Sequence, residues 1–216
     1  MADKINNHLR VDVTAHRFTS SILREIIDEA VEFFRNTPVS LFPPTERFEG
    51  GGVYALYYHG DCELYETIWT TIVERELQPI YVGKAVPPGW RTARVNVTSK
   101  ASLYNRIREH SKNIAQVNNL SVEDFKCRYM ILDGNESGII GPVEANLIRK
   151  YEPLWNSIID GFGNHTPGQG RFNQAKSGWD VLHPGRTWAT KCLGKAPDYD
   201  TLVEKIAAYV LRKTKT

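Results

Sequence analysis

Six side chains of this 216-residue chain are of kinds that can hold an anion, hold a cation or move a proton, and they lie in separate stretches: Tyr54, Tyr81, Arg106, His110, Glu144 and Asn156. Tyr54 and Tyr81 sit in two short runs of aromatic and β-branched residues bounded by glycine, a pattern that predicts strands. Two hydroxyls on adjacent strands could share one pocket, although ordinary strand packing also uses tyrosine. Arg106 and His110 are four residues apart, which on a helix puts them on one face, one turn apart. A guanidinium there can grip a phosphate and an imidazole can exchange a proton near neutral pH; a solvated basic face has the same spacing. Glu144 follows Gly141-Pro142-Val143 and is expected in the first turn of a helix. Its carboxylate is a hard oxygen donor suited to Mg²⁺, or simply an acid favoured by the helix dipole. Asn156, in Pro153-Leu154-Trp155-Asn156, can hold a loop or a phosphate through its amide. The chain has no Walker phosphate loop, dinucleotide fingerprint, Gly-x-Ser-x-Gly or His-Glu-x-x-His motif.

These residues need elements to carry them. Ile22, Leu23, Ile26, Ile27, Ala30, Val31 and Phe34 recur at helical spacing, predicting a helix from Thr19 to Arg35 that ends at Thr37-Pro38. Phe42-Pro43-Pro44-Thr45 reads as an arm or linker. Strands are expected at Val53–Tyr58, Ile80–Val82 and Phe125–Leu132, with a helical stretch near Glu63–Leu77 and a basic loop at 86–100. Ser102 is a plausible N-cap for a helix from Leu103 to Ala115. Pro142 suits the first position of a helix running to about Tyr151, broken by Glu152-Pro153. Residues 161–190 read as irregular, and Leu202–Leu211 as an amphipathic helix. The predicted class is therefore α/β of the α+β kind. A small three-stranded sheet, antiparallel or mixed, is flanked by helices. The expected units are an N-terminal helical arm at 1–49, a core at 50–160, and a loop region with a C-terminal helix at 161–216, packed as one compact unit.

Composition is that of a folded globular protein, with 24% charged and 11% aromatic residues. Cys62, Cys127 and Cys192 have no zinc-type spacing and form no disulfide framework. No apolar run reaches membrane-spanning length, and the polar first residues predict no secretory leader, so the expected location is the cytoplasm. Net charge is only +2, but it is unevenly spread. Residues 1–80 hold 7 basic against 13 acidic groups, residues 84–128 hold 9 against 3, and residues 161–195 hold 5 against 1. Two basic segments behind an acidic front half suit a phosphate-facing surface; a pair of solvated loops would also fit.

Taken together the residues form an ordered pattern. Gly52-Val53-Tyr54, followed by Tyr81-Val82-Gly83-Lys84-Ala85, resembles the paired motif of the GIY-YIG nuclease superfamily, with Val53 and Val82 in place of isoleucines. The helix with Arg106 and His110, the helix with Glu144, and Asn156 follow in family order. The segment between the two motif strands is longer than in the smallest family members. Flanking runs are similar to those of the type II restriction endonucleases of this superfamily that cut CCGCGG. They include Gly161-Phe162-Gly163-Asn164-His165, Gly170-Arg171 and Ser177-Gly178-Trp179-Asp180 through Arg186.

The resemblance implies a Mg²⁺-dependent endonuclease, with Mn²⁺ able to substitute, acting on double-stranded DNA as a homodimer and away from membranes. Glu144 would hold the metal and Arg106 would neutralise charge on the phosphate. Tyr54 would be the candidate base, passing a proton towards His110. Tyr81 would orient water or phosphate, Lys84 would assist, and Asn156 would support the pocket. The base stays open among Tyr54, Tyr81 and Lys84. For a G·C-rich site, Asn164, Arg171, Lys176 and Arg186 are candidate DNA contacts, arginine and lysine being good readers of guanine. A homing or repair endonuclease of the same superfamily and a non-cleaving DNA-binding protein are the competing readings.

Overall fold

The structure is a computed structural model; it describes residues 12–65, 78–87, 89, 101–164 and 172–213. Its centre is an antiparallel sheet of four strands. They are β1 (Ser40–Leu41), β2 (Gly52–Tyr58), β3 (Tyr81–Ala85) and β4 (Phe125–Ile131), in the order β1-β4-β2-β3. Three of these strands were expected. The fourth, β1, is two residues long, too short for an alternation pattern, and it leads straight into Phe42-Pro43-Pro44. It pairs with β4 through Ser40 and Cys127.

Strand β2 is buried along its whole length, because both faces of the sheet are covered. Side chains alternate between faces along a strand. Tyr54, Leu56 and Tyr58 therefore enter one core, with Leu103, Ile107 and Ile114 of helix α2 (Ser102–Ile114). The same core holds Trp155, Phe162, Trp179 and the buried face of the C-terminal helix, Leu202, Ile206, Tyr209 and Val210. Val53, Ala55 and Tyr57 enter the other core, against Ile27, Val31 and Phe34 of helix α1 (Ser21–Asn36) and Ile140, Val143 and Leu147 of helix α3 (Ile140–Tyr151). Each such aliphatic side chain contributes about 1.5–3 kcal/mol on burial.

Helix ends explain several one- or two-residue differences from expectation. Ser20 caps α1, its hydroxyl oxygen accepting from Leu23 N at 3.2 Å. Ser102 is the first helical residue of α2 rather than its cap. One of the open N–H groups at the start of the helix is met by tertiary structure, Leu103 N–H donating to Gly50 O at 3.0 Å. Helix α3 starts at Ile140, continuing a 3-10 turn at Gly134–Ile139, so Pro142 is its third residue. Proline is tolerated there because the first four N–H groups of a helix have no partner within it. Glu144 consequently lies beyond the first turn, contrary to expectation. Glu152 adopts the left-handed conformation at φ 43° and ends α3. Asn156 then falls on a short helix, α4 (Leu154–Ser157). The stretch expected to be irregular contains helix α5 (Gly178–Leu182), and the C-terminal helix α6 spans Tyr199–Lys213. The helical stretch expected near 63–77 and the basic loop at 86–100 fall largely outside the described residues. Among the described residues no helix is long and apolar enough to cross a membrane.

Candidate active site

The sheet register assembles the site. Tyr54 lies directly opposite Gly83 on β3, and Tyr81 is two residues from Gly83, hence on the same face. The two phenol rings lie 6.1 Å apart between centroids. Gly83 makes room for this: a Cβ there would collide with the Tyr54 ring and hydroxyl. Helix α2 crosses this face and brings His110 onto the Tyr54 hydroxyl, with its Nε2 at 2.5 Å. Tyr54 and His110 are both fully buried. Arg106, one turn earlier, donates from Nη1 to Glu109 Oε2 and from Nη2 to the Gly163 carbonyl, both at 2.9 Å.

Lys84 and Glu144 approach from the other face. Lys84 pairs with Val53 and so points away from Tyr54, towards α3, where its ammonium forms an ion pair with Glu144 Oε2. Strand β3 is the edge of the sheet, so groups from the two faces can meet around it. Glu144 is close enough to Tyr81 to help raise its hydroxyl pKa. The exposed backbone of an edge strand needs partners. Asn156 supplies them, its Oδ1 accepting from Val82 N–H and its Nδ2 donating to Val82 O, each at 2.8 Å. Its amide acts as a fragment of a further strand, holding β3 and with it Tyr81, Gly83 and Lys84.

Electrostatics constrain the roles. Burial pushes the Tyr54 hydroxyl pKa well above its ordinary value and the nearby Tyr81 adds to the rise, while Arg106 opposes it. Tyr81 is raised for the same first reason, with Arg106 again opposing. Burial acts to lower the Arg106 pKa, but Tyr54, Glu109 and Tyr81 outweigh it and the net shift is upward. Arg106 thus remains a cation between two neutral phenols. On the opposite face Glu144 offers a carboxylate. Its side chain is 16% exposed and already holds a positive charge, the 42% exposed Lys84 ammonium. That environment and its hard oxygen donors fit a divalent cation such as Mg²⁺, which characteristically takes one or two carboxylates and completes its shell with water and phosphate oxygens. Among the described residues no group of three or more His, Cys, Asp or Glu is gathered as a metal cage.

The seven expected site residues therefore stand in two linked sets. Tyr54, Tyr81, Arg106 and His110 share one face, Lys84 and Glu144 the other, and Asn156 braces the strand between. Glu109, Phe162 and Gly163 also line the site, although in the sequence Glu109 carries no motif and Phe162 and Gly163 are only part of a flanking run. Phe162 stacks on His110 at 4.5 Å with an interplanar angle of 19° and meets Tyr81 edge-on at 4.9 Å. At Gly163 any Cβ would come within 2.8 Å of the Tyr81 hydroxyl. The only signal for these roles was the glycine spacing around a lone aromatic.

The candidate DNA contacts separate clearly. Asn164 is exposed, Lys176 is half-buried, and Arg171 lies outside the described residues. Arg186 corrects the expectation: its side chain is 0% exposed and forms a 2.6 Å ion pair with Asp180, 1% exposed. In this structure it is sealed from any duplex by its own fold. A family model described as the Eco29kI GIY-YIG domain matches residues 46–210. No curated protein matches the chain.

Proposed function

Since the chain belongs to the Eco29kI GIY-YIG family and is thereby a restriction-type endonuclease, we propose that it cuts both strands of duplex DNA at a G·C-rich palindrome such as CCGCGG, as a homodimer and with Mg²⁺ or Mn²⁺. The observation that carries the chemistry is the Tyr54 hydroxyl on His110 Nε2, with Arg106 beside it and Glu144 across the edge strand. A buried tyrosine with a raised pKa is a poor standing tyrosinate. It suits a relay, in which Tyr54 takes a proton from the attacking water as its own passes to His110 Nε2. This requires the His110 tautomer protonated at Nδ1. Arg106 neutralises charge building on the phosphate, and Tyr81, partly open to solvent, orients the water or phosphate. Glu144 would hold the divalent ion, with Lys84 beside it, and that ion supplies polarisation of the phosphate and stabilisation of the leaving oxygen. Asn156 keeps the edge strand in register.

Specificity and assembly rest on the family and on symmetry. One Tyr–Arg–His–Glu set per chain serves one strand, and a two-fold axis matches two copies to antiparallel strands. The solvent side of α1 carries the exposed side chains of Ile22, Ile26 and Phe33, apolar surface available to a partner copy. The test is incubation of the full chain with plasmid containing a single CCGCGG site, with and without Mg²⁺, followed by end sequencing. Linear product with both ends at that site, formed only with the metal, is expected. Uncut plasmid, or ends scattered through the sequence, overturns the reading. Sizing the complex on a short duplex in Ca²⁺ should give two chains per duplex; one chain per duplex with concerted cutting of both strands contradicts the dimer.

A further inference from the structure

We propose that Arg186 is a positioning residue for cleavage: anchored on Asp180, its guanidinium holds the 161–164 loop so that the loop fixes Arg106 and His110. The proposal rests on the nuclease reading of the site. A guanidinium has five donors in a rigid plane, and here Nη1 and Nη2 turn theirs to the carbonyls of one loop while Nε holds Asp180. Nε donates to Asp180 Oδ1 at 2.6 Å, Nη2 to Gly161 O at 3.0 Å, and Nη1 to Phe162 O at 3.2 Å and to Asn164 O at 3.5 Å. The guanidinium carbon lies over the rings of Trp179 and Trp188, 4.5 Å and 4.8 Å from their centroids. Asp180 is itself held, accepting from Ser177 Oγ at 2.6 Å.

The same loop residues face the chemistry. Gly163 O is the acceptor for Arg106 Nη2, and the Phe162 ring is the surface on which the His110 imidazole lies. Gly161, with φ 101°, gives the loop the left-handed turn this needs. A buried ion pair is weak evidence for stability, because apolar residues of similar volume often do as well. What apolar residues could not do is gather the carbonyls of Gly161, Phe162 and Asn164 onto one point. The pair therefore contributes geometry, and the geometry ends on two groups that act on phosphate and proton. Since the Arg186 side chain is inaccessible to solvent, it makes no phosphate or base contact, in contrast to a surface arginine of a DNA-reading loop.

The test measures single-turnover cleavage of a short CCGCGG duplex by wild type, Arg186→Lys, Arg106→Lys and the double variant, all as full chains. Binding of the same duplex in Ca²⁺ is measured across salt. Lysine keeps the charge and loses the fork. The expected result is a rate lower by roughly 10- to 100-fold, the scale of a small misplacement of a catalytic group, with affinity and salt slope unchanged. In the Arg106→Lys background the second substitution should cost clearly less than it does alone, because part of its effect runs through Arg106 and the rest through His110. A wild-type rate in Arg186→Lys overturns the proposal. So does a loss that multiplies with that of Arg106→Lys, or weakened binding with a shallower salt slope, which marks a DNA contact. If Arg186→Lys does not fold, Asp180→Asn combined with Arg186→Met removes both charges and is read by the same cycle. A wild type that cuts nothing refutes the nuclease reading separately. The crystal structure of Arg186→Lys then decides the positioning claim: an unmoved loop with Arg106 still on Gly163 O overturns it.

Discussion

A phenol buried away from water holds its proton tightly, so the value of Tyr54 depends on where that proton can go. His110 Nε2, at 2.5 Å, is the acceptor, and Arg106 is the nearby cation that makes charge on this face less costly. Tyr54→Phe removes the hydroxyl and leaves the ring in its core, so it should fold as wild type while single-turnover cleavage falls by roughly 10²-fold or more. A rate within a few-fold of wild type would move the base to Tyr81 or Lys84. Lys84 is the weaker candidate, since its ammonium is engaged by Glu144. The types and spacing of Tyr54, Arg106, His110 and Glu144 were legible in the chain because each lies on an element whose period places it. The burial of Arg186 is not legible in the chain because, besides Asp180, its partners are the carbonyls of a loop 22 to 25 residues away, which no local pattern reveals. A basic residue in a Gly-rich run has the same signature whether it faces DNA or the interior.

Among the elements, β3 is the one on which both halves of the site depend. It is an edge strand pinned on its outer side by Asn156 and on its inner side by β2. Its glycine is required by the neighbouring strand rather than by its own backbone. In Gly83→Ala the added methyl overlaps the Tyr54 ring, so β3 must move outward or the phenol must leave His110. Overpacking of this kind costs about 1–3 kcal/mol. Thermal unfolding should report that loss, and cleavage should fall well beyond what the lost stability explains. Unchanged activity and melting temperature would show that the Tyr54–Gly83 fit is not tight. Strands β2, β3 and β4 and helices α1, α2, α3 and α6 could be read from the sequence pattern, with boundaries off by at most three residues. What periodicity could not supply was tertiary capping, as where Gly50 O serves the start of α2, and the pairing of β1, which depends on β4 more than eighty residues later.

At the scale of the whole molecule, the chain's later segments close over the sheet through a second tyrosine–histidine pair. Trp155 Nε1 donates to Tyr65 Oη at 2.9 Å, Tyr65 Oη lies 2.5 Å from His183 Nε2, and His183 Nδ1 lies 3.0 Å from Asn119 Oδ1. This network needs a neutral imidazole. Burial first, and the Arg186 charge second, lower the His183 pKa from 6.5 to about 3. The folded form therefore resists a proton that the unfolded chain accepts below about pH 6.5. Stability is complete above that pH and declines as pH falls towards 3, by up to about 1.4 kcal/mol per pH unit from this group. Denaturant unfolding at several pH values should show that slope, and His183→Gln should flatten it; an equal slope in the variant would place the acid sensitivity elsewhere. Arg186 reaches the Phe162 and Gly161 carbonyls and Gly163 O accepts from Arg106, so the later part of the chain contacts the candidate site through the 161–164 loop. If the site hydrolyses DNA through a divalent ion held by Glu144, Glu144→Gln should remove cleavage of a CCGCGG duplex in Mg²⁺ and leave binding in Ca²⁺ intact. No detectable cutting with binding retained is the expected result; cutting at close to the wild-type rate would show that Glu144 does not hold the ion.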